Sequence, residues 1–316
     1  MELPPNALTR ALRDGRAQIG LWSQLTSPVA AEILSRSGFD FLVIDTEHAP
    51  NDVPHVLAQL QAMAGGTASP VVRVAWNDAV LVKRLLDAGA QSLIVPFVQD
   101  ADEATRAVAA TRYPPHGVRG VAVATRASGY GRVAGYLARA HEELCVIVQV
   151  ETRAALANIE AIAGVEGVDG LFIGPGDLSA GLGHLGAPGH PVVREAIDGA
   201  VRRILATGKV AGILAPVEAD ARRYLDMGCL FVAVGSDVGL LVQQGDALAA
   251  ALNPARLEPG AELLVRGQHP RAHKQAVCRA SVRRQRPNRE ARCTGRQRGT
   301  AEQTGEQEAP THRRRS

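Results

Sequence analysis

The chain has 316 residues, of which 46% are hydrophobic and 21% charged, with 35 Lys and Arg against 32 Asp and Glu. This balance is typical of a globular protein, and the length allows one large α/β domain or two smaller ones. No apolar run is long enough for a membrane span or a signal peptide, which predicts a cytoplasmic protein. Four widely spaced cysteines exclude a structural zinc site and a disulfide-stapled fold as leading interpretations.

Charge divides the chain near residue 256. Residues 257–316 contain 14 Lys and Arg against 6 Glu and lack Ile, Phe, Trp, Tyr, Met and Asp, whereas residues 1–256 are net acidic. With so few large apolar side chains, this segment cannot bury enough apolar surface to offset the conformational entropy lost on folding. We therefore predict a folded domain over 1–256 and a disordered, basic C-terminal tail over 257–316. A frame-shifted C-terminus and an arm that binds an acidic partner both remain open.

Short apolar runs alternate with amphipathic stretches of about 10 to 15 residues along the predicted domain. Gly38, Gly89 and Gly228 stand where helices should end, and Asp52 and Asp78 where helices should begin. Eight parallel strands over about 240 residues fit an α/β fold of the closed (β/α)8, or TIM-barrel, type better than an open sheet. The predicted strands are 18–22, 40–45, 70–74, 92–96, 145–151, 168–173, 210–214 and 230–234.

Helices are predicted over 101–110, 152–163 and 218–227, among others. The interval from residue 96 to residue 145 is long for one strand-helix unit and contains PPHGVRG and several glycines. It predicts an extended active-site loop or a crossover. No glycine-rich nucleotide-binding motif follows the first strand, so an open nucleotide-binding sheet has no motif to support it.

Polar side chains follow the apolar cores of several predicted strands, where burial would be costly unless they faced a catalytic mouth. Glu151 and Asp177 end neighbouring strands, and alternation places Gln149 on the same side as Glu151. Such oxygen ligands suit a hard divalent cation, and a buried network that only closes the barrel is the alternative. The polar strand-end residues are Asp45, Glu47, His48, Arg73, Gln149, Glu151 and Asp177.

The glycines before Asp177 form a second feature. In IGPGDLSAGLG, Gly174 and Gly176 would let the backbone approach a ligand, and a helix beginning near Asp177 would favour an anion there. A plain tight turn is the other interpretation.

Nine ordered segments lie between residues 15 and 252. They are QIGLW, GFDFLVIDTEHAPND, PVVRVAWND, VKRLLDAGA, TRYPPHGVRG, VQVET, VEGVDGLFIGPGDLS, GILAPVEADARRYLDMG and FVAVGSD. Together they resemble the HpcH/HpaI aldolases, which are metal-dependent pyruvate aldolases on a TIM barrel. The resemblance implies that Glu151 and Asp177 bind a divalent cation (Mg²⁺, Mn²⁺ or Co²⁺) and that Arg73, with Gln149 nearby, holds the ketone oxygen of pyruvate.

The same resemblance implies roles for the remaining site residues. His48 would be the base, acting through a metal-bound water and oriented by Asp87. Asp45 would support the site, and the N–H groups of Gly176 and Asp177 would bind the carboxylate of pyruvate. Members of this family are homo-oligomers, often hexamers, whose neighbouring subunits help to enclose the site.

Two substrates of this family fit the sequence. The segment 212–237, with GHLGAPGHP upstream, looks more like the aldolases of 2-dehydro-3-deoxyglucarate, while AQIGLW and WNDAV look more like those of 4-hydroxy-2-oxoheptanedioate. We favour 2-dehydro-3-deoxyglucarate from the sequence. Arg119 and Arg126 are candidates for binding the far carboxylate of either substrate. The alternatives are an acyl-CoA lyase of the citrate lyase or malyl-CoA lyase type, and a catalytically silent barrel that binds an acidic partner through its tail. The tail lacks aromatic side chains that stack on bases, which argues against a nucleic-acid partner.

A chain ending at residue 256 should release pyruvate from its substrate as fast as the full chain, because every predicted site residue precedes that position. Steady-state assays of the two proteins at equal concentration test this. A large loss of activity in the shortened chain would show that the tail contributes to the active enzyme.

Overall fold

Eight parallel strands close into a barrel in the computed structural model, which describes residues 1–253. Each strand pairs with the next one in sequence, and β8 pairs with β1, so the sheet has no free edge. The predicted (β/α)8 fold is therefore confirmed. The strands are β1 (Gln18–Ser23), β2 (Phe41–Asp45), β3 (Ser69–Arg73), β4 (Ser92–Val95), β5 (Cys145–Val150), β6 (Gly170–Ile173), β7 (Val210–Leu214) and β8 (Phe231–Ser236).

Helices connect the strands and cover the outside of the barrel. Most are short, and α10 and α12 are the longest, with 16 residues each. The helices are α1 (Ala7–Arg13), α2 (Pro28–Leu34), α3 (Val53–Ala62), α4 (Ala79–Asp87), α5 (Ala101–Thr111), α6 (Tyr136–Arg139), α7 (Arg153–Ala157), α8 (Ile159–Ala163), α9 (Pro175–Gly181), α10 (Pro191–Ala206), α11 (Glu218–Asp226) and α12 (Asp237–Leu252).

The predicted helix boundaries agree closely with the structure. The side chains of Asp52 and Asp78 accept hydrogen bonds from the first N–H groups of α3 and α4. Gly38, Gly89 and Gly228 follow helices with φ of 89°, 101° and 101°, a region that favours glycine. The continuous helix predicted over 152–163 is wrong, because the chain leaves helical geometry between α7 and α8.

Two apolar layers follow from the alternation of side chains along each strand. The outward residues of β2, Leu42 and Ile44, pack in the layer between sheet and helices, whereas Phe41 and Val43 face the barrel interior. Phe41 stacks on Phe231 inside the barrel, with ring centroids 3.9 Å apart. Alternation therefore also decides which polar residues at the strand ends point into the barrel.

The N-terminal end of the barrel is covered by α1 and by the segment 112–144. Leu8 of α1 packs into the interior cluster. The segment 112–144 runs from the end of α5 to the start of β5, and Arg126 in it donates to the carbonyl of Ala88, beyond the end of α4. The segment therefore does not form a loop over the C-terminal mouth of its own barrel, because it lies at the opposite face. The prediction of an active-site loop is wrong in that respect.

None of the helices between residues 1 and 253 combines the length and hydropathy needed to cross a bilayer. The predicted disordered tail, 257–316, lies outside the described residues.

Candidate active site

The inward row of side chains becomes polar where the strands end. Asp45 of β2 and Arg73 of β3 are register partners, and Gln149 of β5 pairs in register with Phe172 of β6. All three polar residues are buried, with exposed fractions of 0%, 6% and 3%. Their positions at the strand ends predicted that they would lie at the C-terminal mouth, and the closed barrel brings them to that face.

Arg73 is the centre of this polar layer. Its Nε and Nη2 donate to the two oxygens of Asp45 at 2.9 and 2.7 Å, and its Nη1 lies 2.9 Å from Oε2 of Glu47. The guanidinium also lies 4.2 Å from the ring centroid of Trp22. Burial alone would raise the pKa of Asp45, but hydrogen bonds and charge from Arg73 outweigh burial and hold that pKa below its usual value.

Glu47 and His48 extend the cluster toward solvent. Burial raises the pKa of Glu47 although the positive charge of Arg73 opposes the rise. His48 is an exposed residue whose Nε2 lies 3.9 Å from Oε2 of Glu47. The strand-end position of Glu47 in the sequence predicted no role for it, and only its contact with Arg73 places it in the candidate site.

Glu151 is buried deeply beside this cluster, with an exposed fraction of 1%. Its Oε1 accepts a hydrogen bond from the backbone N–H of Phe97 at 2.8 Å, and its Oε2 accepts one from the amide of Gln149. Burial raises the pKa of Glu151 to about 7 against the effect of the Phe97 N–H, and the negative charges of Glu47 and Asp177 add to the rise.

The turn from β6 into α9 requires glycine at one of its two glycine positions. A Cβ on Gly174 would collide with Oε2 of Glu151, whereas a Cβ on Gly176 would meet nothing within 4 Å. Asp177 follows in the first turn of α9. Within residues 1–253 the backbone N–H groups of Gly176 and Asp177 have no hydrogen-bond acceptor, so both can serve a ligand.

A cavity of about 390 Å³ opens at this mouth. A larger one, of about 500 Å³, lies at the opposite face and is lined by Arg13, Asp169 and Lys209 among others, with none of the predicted site residues. We assign the active site to the smaller cavity, because chemistry in these barrels occurs at the strand C-termini. The predicted site residues that line it are His48, Arg73, Gln149, Gly176 and Asp177.

The structure keeps Asp87 apart from the predicted residues at the mouth. It ends α4, which begins beyond the C-terminal end of β3 and returns to the N-terminal face. There Asp87 accepts a hydrogen bond at 2.7 Å from Nη2 of Arg119, which is buried, while His48 lies at the mouth. Arg119 and Arg126 also lie at the N-terminal face, so none of these three side chains reaches the mouth of its own barrel.

The donor set is compatible with a divalent cation that takes few protein ligands. No group of three or more His, Cys, Asp or Glu side chains is arranged around a common point in the part of the chain described. The negative charge of Asp177 adds to the raised pKa of Glu151, an effect that a cation between the two carboxylates would reverse. The buried Oε1 of Gln149 also has no partner within residues 1–253. The residues fit a cation whose remaining ligands are water and substrate oxygens.

The closed parallel barrel, with its buried acid and arginine cluster at the strand C-termini, places the protein in the TIM-barrel class, whose active sites lie at that face. The family model for HpcH/HpaI aldolase/citrate lyase matches residues 18–244. The chain belongs to this family. Its relatives are named as aldolases, and the protein is accordingly a carbon–carbon lyase.

Two curated relatives and one solved structure illustrate the similarity. The chain is 56% identical over 250 residues to a pyruvate aldolase of Rhizobium etli, covering 79% of this chain and 98% of the relative. It is 54% identical over 257 residues to the 4-hydroxy-2-oxo-heptane-1,7-dioate aldolase of Salmonella heidelberg, covering 81% and 98%. A family protein from Burkholderia cenocepacia superposes with a TM-score of 0.76 at 42% identity, covering 78% of this chain and 99% of that one.

Replacing Asp45 with Asn should lower the free energy of unfolding by about 3 kcal/mol, because it leaves the buried Arg73 with only Glu47 as an ionic partner. Urea unfolding of the full chain measures the change. Glu32→Gln is the matched control, since the Glu32–Arg36 pair is exposed and such pairs contribute about 0 to 1 kcal/mol. Equal losses in the two variants would show that the Asp45–Arg73 pair does not stabilise the barrel.

Proposed function

We propose that the protein is a divalent-metal-dependent pyruvate aldolase that cleaves a 4-hydroxy-2-oxo diacid to pyruvate and an aldehyde. The observation that carries this proposal is the buried Arg73, fixed by Asp45 and Glu47 at a cavity that Asp177 also lines, with Glu151 buried beside it. The arrangement supplies positive charge to an oxygen together with carboxylates for a cation. Both are needed for a reaction that passes through an enolate.

Carbon–carbon cleavage beside a ketone leaves an electron pair that must be stabilised as an enolate. Glu151 and Asp177 would hold a divalent cation (Mg²⁺, Mn²⁺ or Co²⁺), which when bound supplies Lewis-acid stabilisation of the 2-oxo acid. Arg73 places a second positive group at the ketone oxygen. Because Asp45 already fixes its guanidinium, little reorganisation is needed as negative charge develops.

The other site residues bind the substrate and move its proton. The free N–H groups of Gly176 and Asp177 would receive the carboxylate of the pyruvate half. His48, at the edge of the cavity, accepts the proton of the 4-hydroxyl as the bond between C3 and C4 breaks. The electron pair of that bond becomes the enolate, the hydroxyl carbon leaves as the aldehyde, and a proton added at C3 gives pyruvate.

The choice of diacid rests on the relatives. The Salmonella heidelberg relative is named for 4-hydroxy-2-oxo-heptane-1,7-dioate, which supports this compound as the substrate. The segment 212–237 keeps 2-dehydro-3-deoxyglucarate as the second candidate. Both have a hydroxyl on C4 of a 2-oxo acid and a carboxylate at the far end, so the same residues would cleave either. An acyl-CoA lyase remains the alternative activity within the family.

Asp87 can take part only across a subunit boundary. We infer that the Asp87 of one subunit orients the His48 of a neighbour, since α4 carries it to the N-terminal face of its own barrel. Its side chain is about a quarter exposed, and Arg119 behind it is fully buried, so the carboxylate is held at the surface. This arrangement requires a homo-oligomer, and Arg126 would approach the same neighbouring mouth.

Pyruvate release, coupled to lactate dehydrogenase, tests the reaction with both diacids, and release of glyoxylate and acetyl-CoA tests malyl-CoA cleavage. We expect release from at least one diacid, its loss in EDTA, and its recovery with Mg²⁺ or Mn²⁺. Asp177→Asn should abolish it in a folded protein, because a carboxylate ligand is lost. Release that is insensitive to EDTA, or malyl-CoA cleavage at a comparable rate, would contradict the proposal.

Metal affinity should depend on pH because Glu151 has a pKa of about 7 in the metal-free protein. Below that pH the carboxyl holds a proton that a cation must displace, so the Mn²⁺ affinity should fall about tenfold per pH unit and level off above pH 7. Titrations of the metal-free protein with Mn²⁺ between pH 5.5 and 8.5, about 1.5 pH units on either side of the Glu151 pKa, measure this dependence. The Glu151→Gln variant should bind Mn²⁺ weakly at every pH. An unchanged Mn²⁺ affinity in that variant would show that Glu151 is not a metal ligand.

Complementation tests the shared site. His48→Ala and Asp87→Ala should each be inactive alone, but their co-expression should restore activity at up to about a quarter of the sites in randomly assembled oligomers. The matched control is co-expression of His48→Ala with Arg73→Ala, two changes at the mouth of one barrel, which should restore none. Equal activity in the two mixtures would show that Asp87 does not act on a neighbouring His48.

A further inference from the structure

The loop after β4 contains an unusual backbone conformation. Phe97 has a positive φ, of 53°. Within residues 1–253 only two other residues that are not glycine, Thr26 and Tyr130, have a positive φ. Aromatic side chains rarely adopt this left-handed region, because Cβ approaches the neighbouring carbonyl. Such strain persists only where the surrounding structure fixes the backbone, and it is concentrated at functional sites.

The backbone on both sides of Phe97 is fixed. Pro96 and Val98 are buried on either side of it. The carbonyl of Gln99 accepts from the side chain of Asn158 at 2.9 Å, and the N–H of Gln99 donates to Glu103. The loop therefore cannot relax to relieve the strain at Phe97.

The strained residue directs its N–H at the proposed metal ligand. The N–H of Phe97 donates to Oε1 of Glu151 at 2.8 Å, and the side-chain amide of Gln149 donates to Oε2. Oε2 also lies so close to Gly174 that a Cβ there would collide with it. These groups fix the rotation of the carboxylate. The ring of Phe97 points elsewhere and lies 5.6 Å from the ring centroid of Trp76, a half-exposed residue.

We propose that Phe97 is a positioning residue for Glu151, and that its left-handed backbone, rather than its aromatic ring, sets the carboxylate for metal binding. The inference rests on the proposed role of Glu151 as a ligand. A side chain that excludes positive φ would force the peptide between Pro96 and Phe97 to rotate, because the chain after it is fixed. That peptide carries the N–H, so Glu151 would lose the donor that orients it.

Substitutions that differ in tolerance of positive φ separate the backbone from the ring. Phe97→Val keeps an apolar side chain but is β-branched, whereas Phe97→Asn removes the ring and tolerates the left-handed region. We expect Val to weaken Mn²⁺ binding to the full-length, metal-free protein about 10- to 100-fold, as the loss of an outer partner of a ligand does. Asn should remain within about threefold of the unchanged protein, and Trp76→Ala, which removes the ring contact, should do the same.

Free Mn²⁺ measured by electron paramagnetic resonance gives the affinities, and thermal unfolding shows that each variant is folded. Should Val prevent folding, Phe97→Ala provides a milder restriction with a smaller loss in the same direction. The proposal would be overturned if Phe97→Asn weakened Mn²⁺ binding as much as Phe97→Val, or if Phe97→Val did not weaken it. Unchanged affinity in Glu151→Gln would instead refute the ligand role. Crystal structures of the Val and Asn variants then show directly whether residue 97 still directs the Glu151 carboxylate.

Discussion

Burial of Arg73 at the end of a closed parallel barrel is the constraint on which the site depends. Eight parallel strands end at one face, and register makes Asp45 the neighbour of Arg73, so a guanidinium is taken out of water beside a carboxylate. A buried charge without a partner would cost several kcal/mol. Asp45 accepts two hydrogen bonds from the guanidinium, and Glu47 forms an ion pair with it at 2.9 Å, which fixes the guanidinium before any substrate arrives.

Acidic groups outnumber basic ones around this arginine, and the surplus determines what the mouth can bind. Asp45 remains ionised because Arg73 offsets its burial, whereas the pKa values of Glu47 and Glu151 rise. A cluster of carboxylates that cannot all ionise at low cost is complemented by added positive charge. The proposed metal dependence would therefore be an electrostatic consequence of the same layer that fixes Arg73, and a 2-oxo acid would bring the remaining oxygen ligands.

The two faces of the barrel have different tasks in this interpretation. The C-terminal mouth holds the arginine, the carboxylates and His48, whereas the N-terminal face carries Asp87 on a buried Arg119. A short helix such as α4, with nine residues, spans only about 13 Å and delivers its last residue to the far face. The proposed contact between Asp87 and His48 would then need a second subunit, and assembly would be a condition for full activity.

The sequence by itself determined the fold and most of the site, because period-two alternation and strand-end polarity are local properties. The eight strands, the caps at Asp52 and Asp78, and the convergence of Arg73, Gln149, Glu151 and Asp177 followed from them. Tertiary structure alone decided the rest. It joined Glu47 to Arg73, placed segment 112–144 at the N-terminal face, separated Asp87 from His48, and forced Phe97 into its left-handed turn. These features depend on which distant segments meet when the barrel closes, and no local pattern records that contact.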